Sequence, residues 1–202
     1  MILSILTPSI ITRSHYLEQL RSSLQHQVDA RKGEVEWLIS VDDQELSTGE
    51  KRNVLVAKAN GTYVVHVDDD DSISHRYVDR MLEGCRSNKD AITYLMDMYE
   101  SEFYTCTAKF GLHKEEQIGT IKHQPILHTC PVLKQIAQRV KFPDQNRKED
   151  IEWSKQVQPL IKTVHHIDEV LYTYWFRKAR PQDEVSISHK EQRKVLKEMG
   201  LI

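Results

Sequence analysis

Cysteine is scarce in this 202-residue chain: Cys85, Cys106 and Cys130 are odd in number, far apart and never in a C-x-x-C spacing. A disulfide framework or a zinc knuckle is not expected. Reduced thiols in a cytosol-like compartment, and hence a cytoplasmic location, are. A basic excess is missing as well. Lys and Arg total 28 against 30 Asp and Glu, a formal charge of −2, so no electrostatic case exists for a nucleic-acid partner. No apolar run approaches the roughly 18–20 residues of a membrane helix, so no integral membrane segment is expected. The N-terminal Met1 to Leu6 is apolar, but it lacks a basic n-region and meets Pro8 early. It reads as a buried strand rather than a signal peptide. Internal repeats and low-complexity linkers are absent too, and Gly and Pro are scattered as punctuation. Apolar residues make up 39%, enough for one core, and the length suits one domain.

What is present alternates. Ile2 to Leu6 reads as a strand. His15 to Gln27 sets Tyr16, Leu17, Leu20 and Leu24 on one helical face. Val35 to Val41 reads as a second strand. Thr48 is the expected N-cap of a helix over Gly49 to Ala59, with Asn60-Gly61 as its left-handed stop. Thr62 to Val67 is a third strand, rich in β-branched residues, and His75 to Cys85 a further helix. This order predicts a parallel sheet with crossovers. The second half is more mixed. Ala91 to Met98 and Glu102 to Phe110 read as a strand pair. Pro131 to Val140 and Glu149 to Val157 read as short helices. Lys162 to Ile167 and Val170 to Phe176 read as late strands, and His189 to Met199 as a charged terminal helix. The expected fold is α/β, a Rossmann-like half over 1–110 followed by a mixed half over 111–202.

Asp68, Asp69, Asp70 and Asp71 directly follow the third strand. Ligands of open α/β sheets bind at the carboxyl ends of strands. Two unit charges about 4 Å apart repel by roughly 4 kcal/mol at an effective dielectric near 20. A divalent cation reverses that sign, and oxygen ligands suit Mg2+ or Mn2+. A solvated loop capping the next helix is the alternative. The spacing alone does not separate a nuclease, a phosphatase and a sugar transferase.

Several segments, taken in order, resemble the family-2 glycosyltransferases, which have the GT-A fold. They are Leu3 to Ser9, Ile39 to Asp43, Gly49 to Asn53, Ala59 to Val65, the D-x-D-like Val67 to Asp71, and Lys148 to Trp153 with its Glu149-Asp150 pair. The likeness spans roughly residues 1 to 176. It departs at Ile10-Ile11-Thr12-Arg13 and at Asp42-Asp43-Gln44. The resemblance implies transfer of a sugar from a nucleotide-diphosphate sugar, UDP-linked by preference, to a glycan or other hydroxyl acceptor, with inversion and a divalent cation. It implies Asp150 as the catalytic base, an N-cap role being the alternative. Thr7, Pro8 and Arg13 would wall the nucleotide pocket and Asp42 would contact the base. Asp68 would touch the ribose and the metal, with Asp69 beside it, and Asp70 would be the main metal ligand, joined by the late His166. Lys51 and Arg52 stand at a helix start, where cations oppose the macrodipole, so a role near the uracil or diphosphate is expected; a salt bridge to Glu50 or Asp43 is the alternative. His128 is a weaker candidate for the acceptor pocket. Trp153, Tyr172, Tyr174 and Trp175 read mainly as core. Competing readings are another metal-dependent phosphoryl- or nucleotidyl-transfer enzyme and a non-catalytic nucleotide-binding module.

Overall fold

The computed structural model describes residues 1–99, 102–109, 111–112, 115–176 and 188–202. The strands are β1 (Leu3–Ile10), β2 (Val35–Asp42), β3 (Tyr63–His66), β4 (Ser72–Ile73), β5 (Ala91–Tyr99), β6 (Phe103–Ala108), β7 (Glu116–Ile118), β8 (Ile121–Gln124), β9 (Val132–Leu133) and β10 (Val164–Trp175). The helices are α1 (Ser14–Ala30), α2 (Thr48–Lys58), α3 (Tyr77–Cys85), α4 (Lys134–Ala137), α5 (Glu149–Val157) and α6 (His189–Glu198). One sheet runs β2-β1-β3-β9-β5-β6-β8-β7, and β10 lies along β5 and β4. The β2-β1-β3 portion is parallel, as the alternation predicts, while β9 enters antiparallel to both β3 and β5.

Both faces of the sheet are covered, which is why its central strands read as unbroken apolar runs. Leu3, Ile5 and Val65 face Leu20 and Leu24 of α1 and Met81 of α3. Leu6 and Val64 face Leu55 of α2, Ile136 of α4, and Trp153 and Val157 of α5. A smaller cluster seats Leu196 of α6 against Ile11 and Leu17. Thus the terminal helix is docked beside the turn that carries Arg13.

The structure corrects several expected boundaries. β1 continues past Pro8 to Ile10. Leu6 O faces β3, accepting from Val67 N. By alternation Pro8 faces the same side, beyond the last β1–β3 pair at Leu6↔His66, where a missing N–H breaks no ladder. The N-cap of α2 is Ser47, closing a capping box with Glu50, rather than Thr48. Gly61 is not left-handed. It is needed for close approach, because a Cβ there would lie 2.6 Å from Ser4 N. Residues 131–140 hold strand β9 and the one-turn α4 rather than one helix. The two late strands are the single bulged β10. Phe110, the expected end of the sixth strand, lies outside the described residues.

Candidate functional site

The carboxyl ends of β1 and β3, the start of α2, the start of α5 and the end of β10 surround a cleft of about 920 Å3. Its lining includes Pro8, Ser9, Arg13, Lys51, Arg52, Asp68, Asp69, Asp70, Lys148, Glu149 and Trp175. This is the place where a parallel sheet leaves room for a ligand.

The Asp quartet is taken apart by the chain. Asp69 and Asp71 turn inward and are 2% and 4% exposed. Ser9 Oγ donates to Asp69 Oδ2 at 2.5 Å, and Arg13 Nη2 lies 2.6 Å from Asp69 Oδ1. Burial pushes the Asp69 carboxyl up to about 7, against the pull of Arg13. Asp71 accepts from the Tyr172 hydroxyl at 2.6 Å and from Trp175 N at 3.0 Å. Burial, with Asp70 and Asp68 nearby, holds its carboxyl well above the usual range. Asp71 is therefore the anchor of β10 under the cleft. Asp69 still touches the cleft wall, but Asp68 and Asp70 are the more open acids there. Asp70 pairs with Arg13. Asp68 accepts two bonds from Arg52 Nη2, at 2.9 and 3.2 Å, and stands 3.2 Å from His128 Nε2. Burial alone would raise the Asp68 carboxyl; Arg52 and His128 reverse that and hold it well below the usual range.

Lys51 and Arg52 are each 2% exposed, which a cation tolerates only when paired. Their partners are neither Glu50 nor Asp43. Lys51 Nζ donates to Ser9 O at 2.9 Å and pairs with Asp42. Arg52 joins Asp68 to Glu149, whose Oε1 lies 3.2 Å from Nε, and sits over the Phe142 ring.

Asp42 is committed to its own loop, accepting from Gln44 N at 3.1 Å and Leu46 N at 2.9 Å. Gln44 and Leu46, rather than Asp42, line the cleft. Thr7 does not wall the pocket. It is fully buried, donates to Val67 O at 2.8 Å and accepts from Trp37 Nε1 at 2.9 Å. Thr7 lies on the same face of β1 as Ser9 but two residues deeper, where Val67 and Trp37 take up its hydroxyl.

Asp150 is the second residue of α5, and Lys148, with φ 64°, is the N-cap, so the expected capping alternative for Asp150 does not hold. Left-handed backbone is costly for a non-glycine residue, and here it immediately precedes Glu149 and Asp150. Asp150 Oδ2 lies 3.6 Å from His128 Nδ1.

His166 is elsewhere. It pairs with Thr93 across β5 and β10, Thr93 Oγ1 and His166 Nδ1 being 3.0 Å apart. Burial and its neighbours His165 and His123 lower it, with only Asp168 opposing. The expected trio of Asp68, Asp70 and His166 does not assemble. Among the described residues no group of three or more His, Cys, Asp or Glu is placed to hold a metal ion. Of the four described carboxylates lining the cleft, Asp69 and Glu149 are buried in their own pairs, and Asp68 and Asp70 are the more open two, oxygen donors of the kind that suit a hard cation completed by phosphate oxygens and water.

The residues that sequence reasoning missed are Ser9, the Arg147-Lys148 turn and Phe176, all at the cleft, together with the Arg52–Glu149 pair. Only the Glu149-Asp150 spacing signalled that this turn matters. Of the late aromatics, Tyr174 and Trp175 reach the cleft, while Trp153 and Tyr172 are core.

No protein-family model matches the chain, and no curated protein does. Solved structures do. TarS of S. aureus superposes with a TM-score of 0.64 at 15% identity, over 98% of this chain and 42% of that one. TarS residues 1–349 in complex with UDP-GlcNAc gives 0.61 at 14% identity, over 100% of this chain and 66% of that one. The same fragment in complex with UDP gives 0.62 at 15%, over 98% and 70%. The chain thus spans between two fifths and seven tenths of these structures. Likeness at such identities establishes the fold: mixed α/β, of the GT-A type, with a mostly parallel central sheet.

Proposed function

We propose that the chain transfers a sugar from a nucleotide-diphosphate sugar, UDP-linked by preference, to an acceptor hydroxyl with inversion. One observation carries the reading. At the carboxyl ends of β1 and β3, acids and bases converge on a cleft whose far wall begins the helix bearing Asp150. The GT-A fold, shared with a protein solved with UDP-GlcNAc and with UDP, supports it. Arg13, Lys51, Arg147 and Lys148 supply positive charge for a diphosphate. Asp68 and Asp70 would hold Mn2+ or Mg2+, which as a Lewis acid supplies stabilisation of the leaving diphosphate.

In the reaction Asp150 takes the proton of the acceptor hydroxyl. The freed oxygen attacks the anomeric carbon, the bond from that carbon to the diphosphate breaks, and the nucleoside diphosphate leaves. A carboxylate is ionised at neutral pH and fit for this task when held in place. One displacement with one base inverts the anomeric centre.

The test is product analysis. The chain is incubated with UDP-glucose, UDP-galactose and UDP-N-acetylglucosamine, each with Mn2+ or Mg2+, and the released products are quantified. Slow release of UDP is expected with at least one donor. Pyrophosphate release from nucleoside triphosphates would move the assignment to nucleotidyl transfer. No product, with no UDP binding, would leave a non-catalytic module.

A further inference from the structure

We propose that His128 is a positioning residue that uses the two nitrogens of one ring to hold the donor-side Asp68 and the base Asp150 in a common frame. The inference rests on the reading of Asp150 as the base. His128 lies in the segment before β9, with its side chain only 8% exposed. Its Nε2 stands 3.2 Å from Asp68 Oδ2 and its Nδ1 3.6 Å from Asp150 Oδ2. That second gap exceeds a hydrogen bond, and Nδ1 has no hydrogen-bond partner among the described residues. A buried ring nitrogen left open toward a carboxylate is costly unless something closes it, and holding a carboxylate on each side takes an N–H on both nitrogens, that is, the ring with both protons. Catalytic hydrogen bonds are often long before the reactants arrive and tighten with them bound.

The backbone that carries the ring is held in place. His128 O accepts from His66 N at 3.0 Å, tying it to β3. Two residues earlier, Ile126 O accepts from Ser154 Oγ of α5 at 2.5 Å. One residue later, Thr129 O accepts from the Tyr94 hydroxyl at 2.7 Å. The segment is thus pinned to β3, which ends two residues before Asp68, and to α5, whose second residue is Asp150. A second bridge runs alongside: Arg52 spans Asp68 and Glu149. Arg52 closes its bridge completely, whereas His128 leaves the arm to Asp150 open. Arg52 acts on Asp150 through its charge, and His128 is the bridge whose ring nitrogen stands next to the Asp150 carboxylate.

The two arms can be separated by substitution. An Asn amide reaches about as far as Nδ1, and a Gln amide about as far as Nε2. Donor hydrolysis, read as UDP release, is measured for wild type, His128→Asn, His128→Gln and His128→Ala, with a thermal melt of each. His128→Gln is expected to keep the donor KM and lose roughly tenfold in kcat; His128→Asn is expected to keep kcat and raise the donor KM roughly tenfold; His128→Ala loses both. If Asn and Gln shift kcat and KM alike, or if His128→Ala matches the wild type, His128 positions nothing and this role is overturned. A wild-type chain that releases UDP from no donor overturns glycosyl transfer itself, and this role with it.

Discussion

At the scale of the residue, four adjacent acids coexist because each receives its own donor. Asp68 has Arg52, Asp69 has Ser9, Asp70 has Arg13, and Asp71 has Tyr172. The repulsion expected of the run is spent on four different partners, leaving Asp68 and Asp70 as its more open carboxylates at the cleft. Asp150 stands at a partly exposed helix start, 3.6 Å from His128 and within electrostatic reach of Arg52. Asp150→Asn is expected to lower turnover by roughly 10²–10⁴ while UDP affinity, measured by calorimetry, stays close to wild type. Turnover at the wild-type level would remove Asp150 from the mechanism. His66 makes a separate prediction. It is 2% exposed, neither ring nitrogen has a hydrogen-bond partner among the described residues, and burial together with Arg52 and His128 pushes it well below its usual value. It is neutral when folded and takes a proton when unfolded. Its contribution is therefore intact above about pH 6.5 and is lost as the pH falls, by at most about 1.4 kcal/mol per pH unit. Asp69 and Asp71, raised when folded, act in the opposite direction over the same range. The comparison must be with His66→Phe, whose stability in urea should decline less between pH 7 and pH 5. Parallel curves would show that His66 does not titrate on unfolding.

At the scale of the element, α2 joins the two halves. Its first turn abuts the loop before α5: Gly49 N donates to Gln145 O at 3.1 Å, and Thr48 N to Asn146 Oδ1 at 2.9 Å. A Cβ on Gly49 would lie 1.8 Å from Pro143 O, a backbone atom with nowhere to go. Gly49→Ala should therefore cost about 1–3 kcal/mol by chemical denaturation, even though Ala is the better helix former. The displaced loop carries Arg147 and Lys148 and leads into Glu149 and Asp150 of α5, so activity should fall further than stability alone accounts for. A neutral Gly49→Ala would mean that the loop is not braced on α2. The same bracing explains why Lys51 and Arg52 tolerate the positive end of a helix: Asp42, Asp68 and Glu149 offset the unfavourable dipole.

At the scale of the whole molecule, the cleft is shared by segments far apart in the chain, from Pro8 to Phe176. A ligand that bridges them binds only the folded state. UDP with Mn2+ at 100 times its dissociation constant should add about 2.7 kcal/mol, a rise of several degrees in melting temperature. Mn2+ without UDP should do less, because two carboxylates already paired with arginines make a poor site alone. If UDP with either Mn2+ or Mg2+ leaves the melt unchanged, the nucleotide assignment fails.

The elements themselves were legible in the sequence. Unbroken apolar runs, helical spacing and the breakers between them mark β1, α1, β2, α2, β3, α3 and α5, because those signals arise from neighbours within a few residues. The Asp68–Asp70 end of β3 was legible for the same reason, and so was the start of α5 at Glu149. Where two distant segments meet was not. His128 is one letter in a loop, 60 residues from Asp68, and Arg52 and Glu149 lie 97 apart. Thr7 and His166 were misplaced because a strand's pairing decides which face and which end a side chain occupies. Local chemistry belongs to the one-dimensional order. The meeting of Asp68, His128 and Asp150 beside one cleft comes only from packing both faces of one sheet, since that brings the ends of β1 and β3 to the start of α5.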